Sequence, residues 1–152
     1  MRILSSCHAP VRFEILAMLD YVLLSMIRVG VQGMTSTLYE RLGGTEGITK
    51  IASDLTDIHL ANPRIAPRYA KSDVTKVKNG VATFFIAGTG GPDVYKGEDM
   101  LSTHRGMNID SDEFIAVLDD ALEALEKNNV GQREKEEVLY ILYGMKSDVA
   151  FV

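Results

Sequence analysis

The chain has 152 residues, 46% of them hydrophobic, which suits one domain of ordinary size with a real core. A net charge of −5, with lysines dispersed rather than clustered, argues against a nucleic-acid surface. Cys7 is the single cysteine, so there is no internal disulfide and no Cys-based zinc set, and a reducing, cytoplasmic setting is expected.

Phe13 to Val31 is strongly apolar, yet Glu14, Asp20 and Arg28 interrupt it. No stretch reaches the ~18 uncharged residues that a membrane crossing requires. The apolar part also lies late for a secretory signal, and Val29–Gly33 makes a poor cleavage site. Leu16, Leu19, Leu23, Met26 and Ile27 follow helical spacing. Residues 1–33 therefore read as an N-terminal extension with four readings open: a helix packed on the body, a helix paired with another chain, a helix resting on a membrane, or a start assigned upstream of a true one at Met34. Cys7 and His8 carry no recognisable site. Residues 34–152 read as one domain.

Thr45 is expected to cap a helix in which Ile48, Ile51, Leu55 and Ile58 form the apolar face, with Asn62-Pro63 ending it. Ile65 to Pro67 turns a corner that Tyr69 closes. Ser72-Asp73 opens a second helix with a stripe of Val74, Val77, Val81, Phe84 and Gly88, while Lys76, Lys78 and Asn79 are expected to face water. Gly88-Thr-Gly-Gly-Pro92 is a glycine-rich loop without the residues of a phosphate cradle.

Met100 and His104 then share a face of a short helix that Gly106 can end, since glycine takes the left-handed conformation freely. From spacing alone, His104 is either a metal ligand projecting from an apolar wall or a histidine satisfied in the core. Asp110 and Glu113 form a capping-box pattern ahead of a helix with Phe114, Val117, Leu118, Ala121, Leu122 and Leu125 inward. Asn128-Asn129 and Gly131 make a turn. One last helix buries Val138, Leu139, Ile141, Leu142, Met145 and Val149, and its charged stretch Arg133–Glu137 reads as a solvated face. No strand or hairpin signal is present, so the expected fold class is all-α.

Three stretches carry a resemblance: Leu38-Tyr-Glu-Arg-Leu-Gly-Gly44, Leu60-Ala-Asn-Pro63, and Tyr95-Lys-Gly-Glu-Asp-Met100 with His104 and Gly106-Met-Asn-Ile109 after Gly90-Gly91-Pro92. In this order and at these distances they resemble the truncated haemoglobins, most closely group I, over about residues 36–150. The resemblance implies two antiparallel helix pairs in a 2-on-2 sandwich around a haem, with His104 as the proximal iron ligand. The implied pocket is lined by Thr56, Tyr69, Val77, Val81, Phe84, Phe85, Tyr95, Met100, His104, Phe114 and Val117.

Thr56 stands where the family usually has tyrosine, and Val77 and Val81 where many group I members have glutamine. A nearly apolar ligand side is therefore expected, with Tyr69 and Lys78 as substitute donors. The cofactor is expected to be haem b, held without thioether links because no C-x-x-C-H is present. The implied function is reversible binding of oxygen, NO or CO. The alternatives are an NO dioxygenase served by an electron-donating reductase, and a haem-free helical interaction domain. No other catalytic constellation competes. His59 lacks triad partners in the sequence and reads as solvated or interhelical rather than as a ligand.

Overall fold

A computed structural model describes residues 36–152, so the expectations for residues 1–33 lie outside the described residues. The first helix, α1 (Leu38–Arg41), is set by a capping box between Thr37 and Glu40. Helix α2 (Gly44–Ala61) begins two residues earlier than the sequence suggests, with Gly43 rather than Thr45 at its N-cap. The reason lies in Tyr39, whose hydroxyl oxygen accepts the Thr45 N–H at 3.1 Å and lies 2.8 Å from Thr45 Oγ1. That phenol takes over the capping task and ties α1 back onto α2. Asn62, extended ahead of Pro63, stops α2 as expected.

A 3₁₀ turn, Ala66–Tyr69, leads to α3 (Val74–Gly88), where the Asp73 carboxylate caps the N–H groups of Thr75 and Lys76. Gly91 in the following loop leaves no room for a β-carbon, which would collide with the Tyr39 ring and the Ile86 carbonyl. Helix α4 (Met100–His104) is one turn long, capped by Asp99. Gly106 follows at φ 80°, in the left-handed conformation that favours glycine. Helix α5 (Ser111–Lys127) carries the expected box between Asp110 and Glu113.

The expected single last helix is in fact two, α6 (Gln132–Gly144) and α7 (Lys146–Val149), broken at Met145. After the break, residues 150–152 return to the segment behind His104. Ile109 and Ala150 form a parallel bridge, Phe151 N–H donates to Ile109 O at 2.9 Å, and Gly106 and Asn108 N–H donate to Val152 O at 3.0 and 3.2 Å. That bridge apart, the described residues are helix, turn and loop.

Two of the charge expectations change. Lys78 does not face water but reaches back to α2, 2.7 Å from Asp57 and 3.0 Å from Ser53 Oγ. Within Arg133–Glu137, Glu134 and Glu137 both pair with Arg41, joining α6 to α1.

Helix α2 packs on α3 and α5, and α5 packs on α6, giving the 2-on-2 arrangement. The larger core joins Leu38, Leu42, Ile48, Ile51, Leu55, Phe85, Ile86, Ala121, Ala124, Leu125 and Val138. A second, smaller core joins Ile109, Phe114 and Leu118. Each large side chain so buried contributes roughly 1.5–3 kcal/mol, so a core divided in two forgoes contacts a continuous one would make. The division falls where the cavity lies.

Candidate functional site

Two hollows of about 320 and 580 Å³ run into each other, sharing Tyr69, Phe84, Met100, Thr103, His104, Val117 and Leu142 in their walls. Leu55, Phe85 and Ala121 of the larger core face one part, and Ile109, Phe114 and Leu118 of the smaller core face the other. The cleft is of a size that holds cofactors, about 300–1,000 Å³, and its walls are mostly apolar. Every residue of the expected pocket lines it except Thr56.

Thr56 is 1% exposed, and its hydroxyl donates to Ala52 O at 2.8 Å, one turn back along α2. The short side chain is thus spent on its own helix. Lys78, held by Asp57, is not part of the wall either, whereas Asn79, exposed as expected, also borders it.

His104 closes the one-turn helix α4. Its Nδ1 is 2.7 Å from Met100 O, and because a carbonyl only accepts, Nδ1 carries the proton. This leaves Nε2 with a lone pair for a metal, oriented by the backbone bond on the other nitrogen. No group of three His, Cys, Asp or Glu side chains among the described residues could hold a bare metal ion. A porphyrin, which brings its own ligands to a metal, needs only one imidazole from such a wall. The divided apolar core, the flat aromatic wall and the single oriented imidazole together fit such a group.

The aromatic wall is fixed from both sides. Phe84 meets Tyr95 edge to face at 5.5 Å and Phe85 at 6.0 Å. The Tyr95 hydroxyl donates to Glu98 O at 2.8 Å, which folds the loop ahead of α4 against its own ring. Arg68 holds the rim, bonded to Glu113 and to Met107 O at 2.9 Å, and its guanidinium keeps the Glu113 carboxyl below its ordinary range. Lys96 adds a cation to the wall. Tyr69 lines both hollows, and burial, with the Asp120 charge second, pushes its phenol up, so it keeps its proton.

His59, expected to be solvated or interhelical, is interhelical and joins the cleft wall. It is 5% exposed, lines the larger hollow, stacks on Tyr69 with ring centres 6.0 Å apart, and sits with Nδ1 2.7 Å from Asp120. Asp120 also accepts from Asn62 at 2.9 Å. A signal was available. His59 continues the inward series Ile48, Ile51 and Leu55 of α2, and Asp120 falls between Val117 and Ala121 on the inward face of α5. Two polar residues of complementary chemistry on facing apolar stripes can satisfy each other in the interior.

A family model, Bacterial-like globin, matches residues 37–151. The chain is 28% identical over 114 residues to a group 1 truncated hemoglobin, GlbN, of Nostoc sp. (strain MUN 8820), covering 75% of this chain and 97% of that protein. The Fe(III) truncated hemoglobin of Tetrahymena pyriformis superposes with a TM-score of 0.74 at 24% identity, covering 77% of this chain and all of that one. The 2/2 hemoglobin of Synechococcus sp. PCC 7002, solved with covalently attached heme, superposes with a TM-score of 0.71 at 25% identity, covering 75% and 98%.

Proposed function

Because the chain belongs to the bacterial-like globins and is a truncated haemoglobin in fold, we propose that it binds a diatomic gas reversibly on a haem b held by His104. When bound, that group supplies an iron with a coordination position open to oxygen, NO or CO. The observation that carries the reading is the His104 imidazole on the cleft wall, its Nδ1 proton committed to Met100 O at 2.7 Å and its Nε2 left to ligate.

Phe84, Phe85, Tyr95, Met100, Phe114 and Val117 flank the cofactor and keep water from it, while the Val77 and Val81 methyls form the α3 wall where the gas is received. Arg68 and Lys96 at the lining suit the carboxylates of haem. A non-covalent cofactor is the reading taken, the sequence having no C-x-x-C-H. Residues 34–152 constitute the globin domain in this reading, and no described helix is long and apolar enough to cross a membrane.

The test is an absorption spectrum of ferric, ferrous and CO-treated protein, with extraction by acidified solvent to show whether the haem is linked. His104→Ala is expected to lose tight haem binding, with added imidazole restoring part of it. An alanine variant that keeps a normal ferrous–CO spectrum without imidazole refutes the assignment. Rapid NO consumption in the presence of an electron donor would move the dioxygenase reading ahead.

A further inference from the structure

Gas binding leaves one buried polar group of the cleft without a task. The His59 ring cannot turn, being stacked on Tyr69 and bonded through Nδ1 to Asp120, which Asn62 holds in turn. A carboxylate accepts, so the proton of that 2.7 Å contact sits on Nδ1. No described residue meets Nε2. Yet no fully enclosed side-chain nitrogen or oxygen among the described residues lacks a partner, so Nε2 opens on the hollow that His59 lines. Asp120 is only 7% exposed, and an anion so placed is costly without a counter-charge. A cationic ring would supply that counter-charge, and its Nε2–H would be the group turned to the cleft.

We infer that His59, held by Asp120, is the specificity-determining donor on the gas side of the cleft, favouring a diatomic ligand that draws negative charge over one that stays neutral. The inference rests on the gas-binding reading and replaces the expectation of a nearly apolar ligand side. On a ferrous haem held here, a ligand such as oxygen that takes up negative charge would gain from an N–H donor, and carbon monoxide, which takes up little, would gain little. Val77 and Val81 supply the apolar surroundings in which one such hydrogen bond counts for most. Asp120 acts through His59 and is a positioning residue.

The test uses the full-length, haem-loaded protein. The double variant His59→Leu/Asp120→Leu removes the donor without stranding a buried carboxylate. Oxygen should then leave roughly ten- to a hundredfold faster, with carbon monoxide release nearly unchanged. His59→Gln, which keeps an amide donor, should fall between wild type and the double variant.

A readout independent of gas kinetics is the nitrogen NMR spectrum of His59 in the diamagnetic carbon monoxide form, where both ring nitrogens should carry protons. Asp120→Asn should remove one of them. Unchanged oxygen release in the double variant overturns the inference, as does an Nε2 without a proton. A wild-type spectrum of six-coordinate iron that becomes five-coordinate in the double variant also overturns it, since His59 would then be a second iron ligand. A wild-type chain that shows no Soret band after haem addition instead sinks the gas-binding reading itself.

Discussion

Asp54 joins the middle of α2 to the end of α5, the two helices that carry His59 and Asp120. Its carboxylate lies 2.8 Å from Lys127 Nζ, accepts from Asn128 Nδ2 at 2.8 Å, and lies 3.2 Å from Lys50 Nζ. Lys127 above all, then Asn128, hold the Asp54 carboxyl down at about 2 against an ordinary 3.8. At about 1.36 kcal/mol per pH unit the difference corresponds to ~2.4 kcal/mol as an upper bound. The Asp54 side chain is 16% exposed, but its lysine partners are 65% and 55% exposed. Solvent screening therefore reduces the contribution to ~1 kcal/mol.

Because the folded carboxyl titrates below the unfolded one, this stability is complete above about pH 4 and is lost as pH falls through 2. Asp54→Asn should melt ~4 °C lower than wild type at pH 7, followed by circular dichroism at 222 nm. The gap should close between pH 4 and pH 2, and since both chains are compared at each pH, whatever acid does to the rest of the molecule cancels. A gap below about 1 °C at pH 7, or one that persists unchanged at pH 2, refutes the assignment to charge.

Thr56→Tyr should destabilise the fold by about 1–3 kcal/mol in a denaturant titration, because the threonine is enclosed and a ring must displace its neighbours; a fully stable variant would show space beside α2 that the structure lacks. Val81→Gln places an amide donor on the α3 wall and should slow oxygen release in stopped-flow measurements while leaving carbon monoxide release nearly unchanged. A chain beginning at Met34 should fold and take up haem with near-unchanged melting. A fall of more than about 5 °C would mean that the residues before it contribute to the core.

The helices were legible wherever a local rule operates alone. The stripes of α2, α3 and α5, the Asp73 cap, the Asp110–Glu113 box and the stop at Asn62-Pro63 depend on residues a few positions apart, and the structure agrees with them. The misplaced cap shows the limit. Nothing near Thr45 announces that a phenol six residues back satisfies its N–H. Likewise, the continuous apolar pattern of residues 138–149 conceals the break at Met145.

At the site, the resemblance named the lining well because large apolar side chains on an inward stripe have nowhere else to go. Thr56 lies outside the lining, its hydroxyl turned to its own backbone, and His59, interhelical as expected, adds to the lining with a partner 61 residues away. A buried polar pair can be read from sequence only when both members are considered together.

The return of residues 150–152 to the segment behind His104 has a consequence for how this protein tolerates change. Every tie there runs between main-chain atoms: Phe151 N–H to Ile109 O, and Gly106 and Asn108 N–H to Val152 O. No side-chain contact is needed for these bonds, but Gly106, Asn108 and Phe151 all hold a left-handed backbone, and Phe151 stands 62% exposed. Alanine at Phe151 or Val152 would remove none of these bonds, whereas any side chain at Gly106 meets its φ of 80°. A change that removes an amide hydrogen, shortens the chain or adds a side chain at Gly106 would expose the dependence. Here the support of the His104 helix is written in chain length and backbone direction, a kind of information that residue-by-residue comparison does not record.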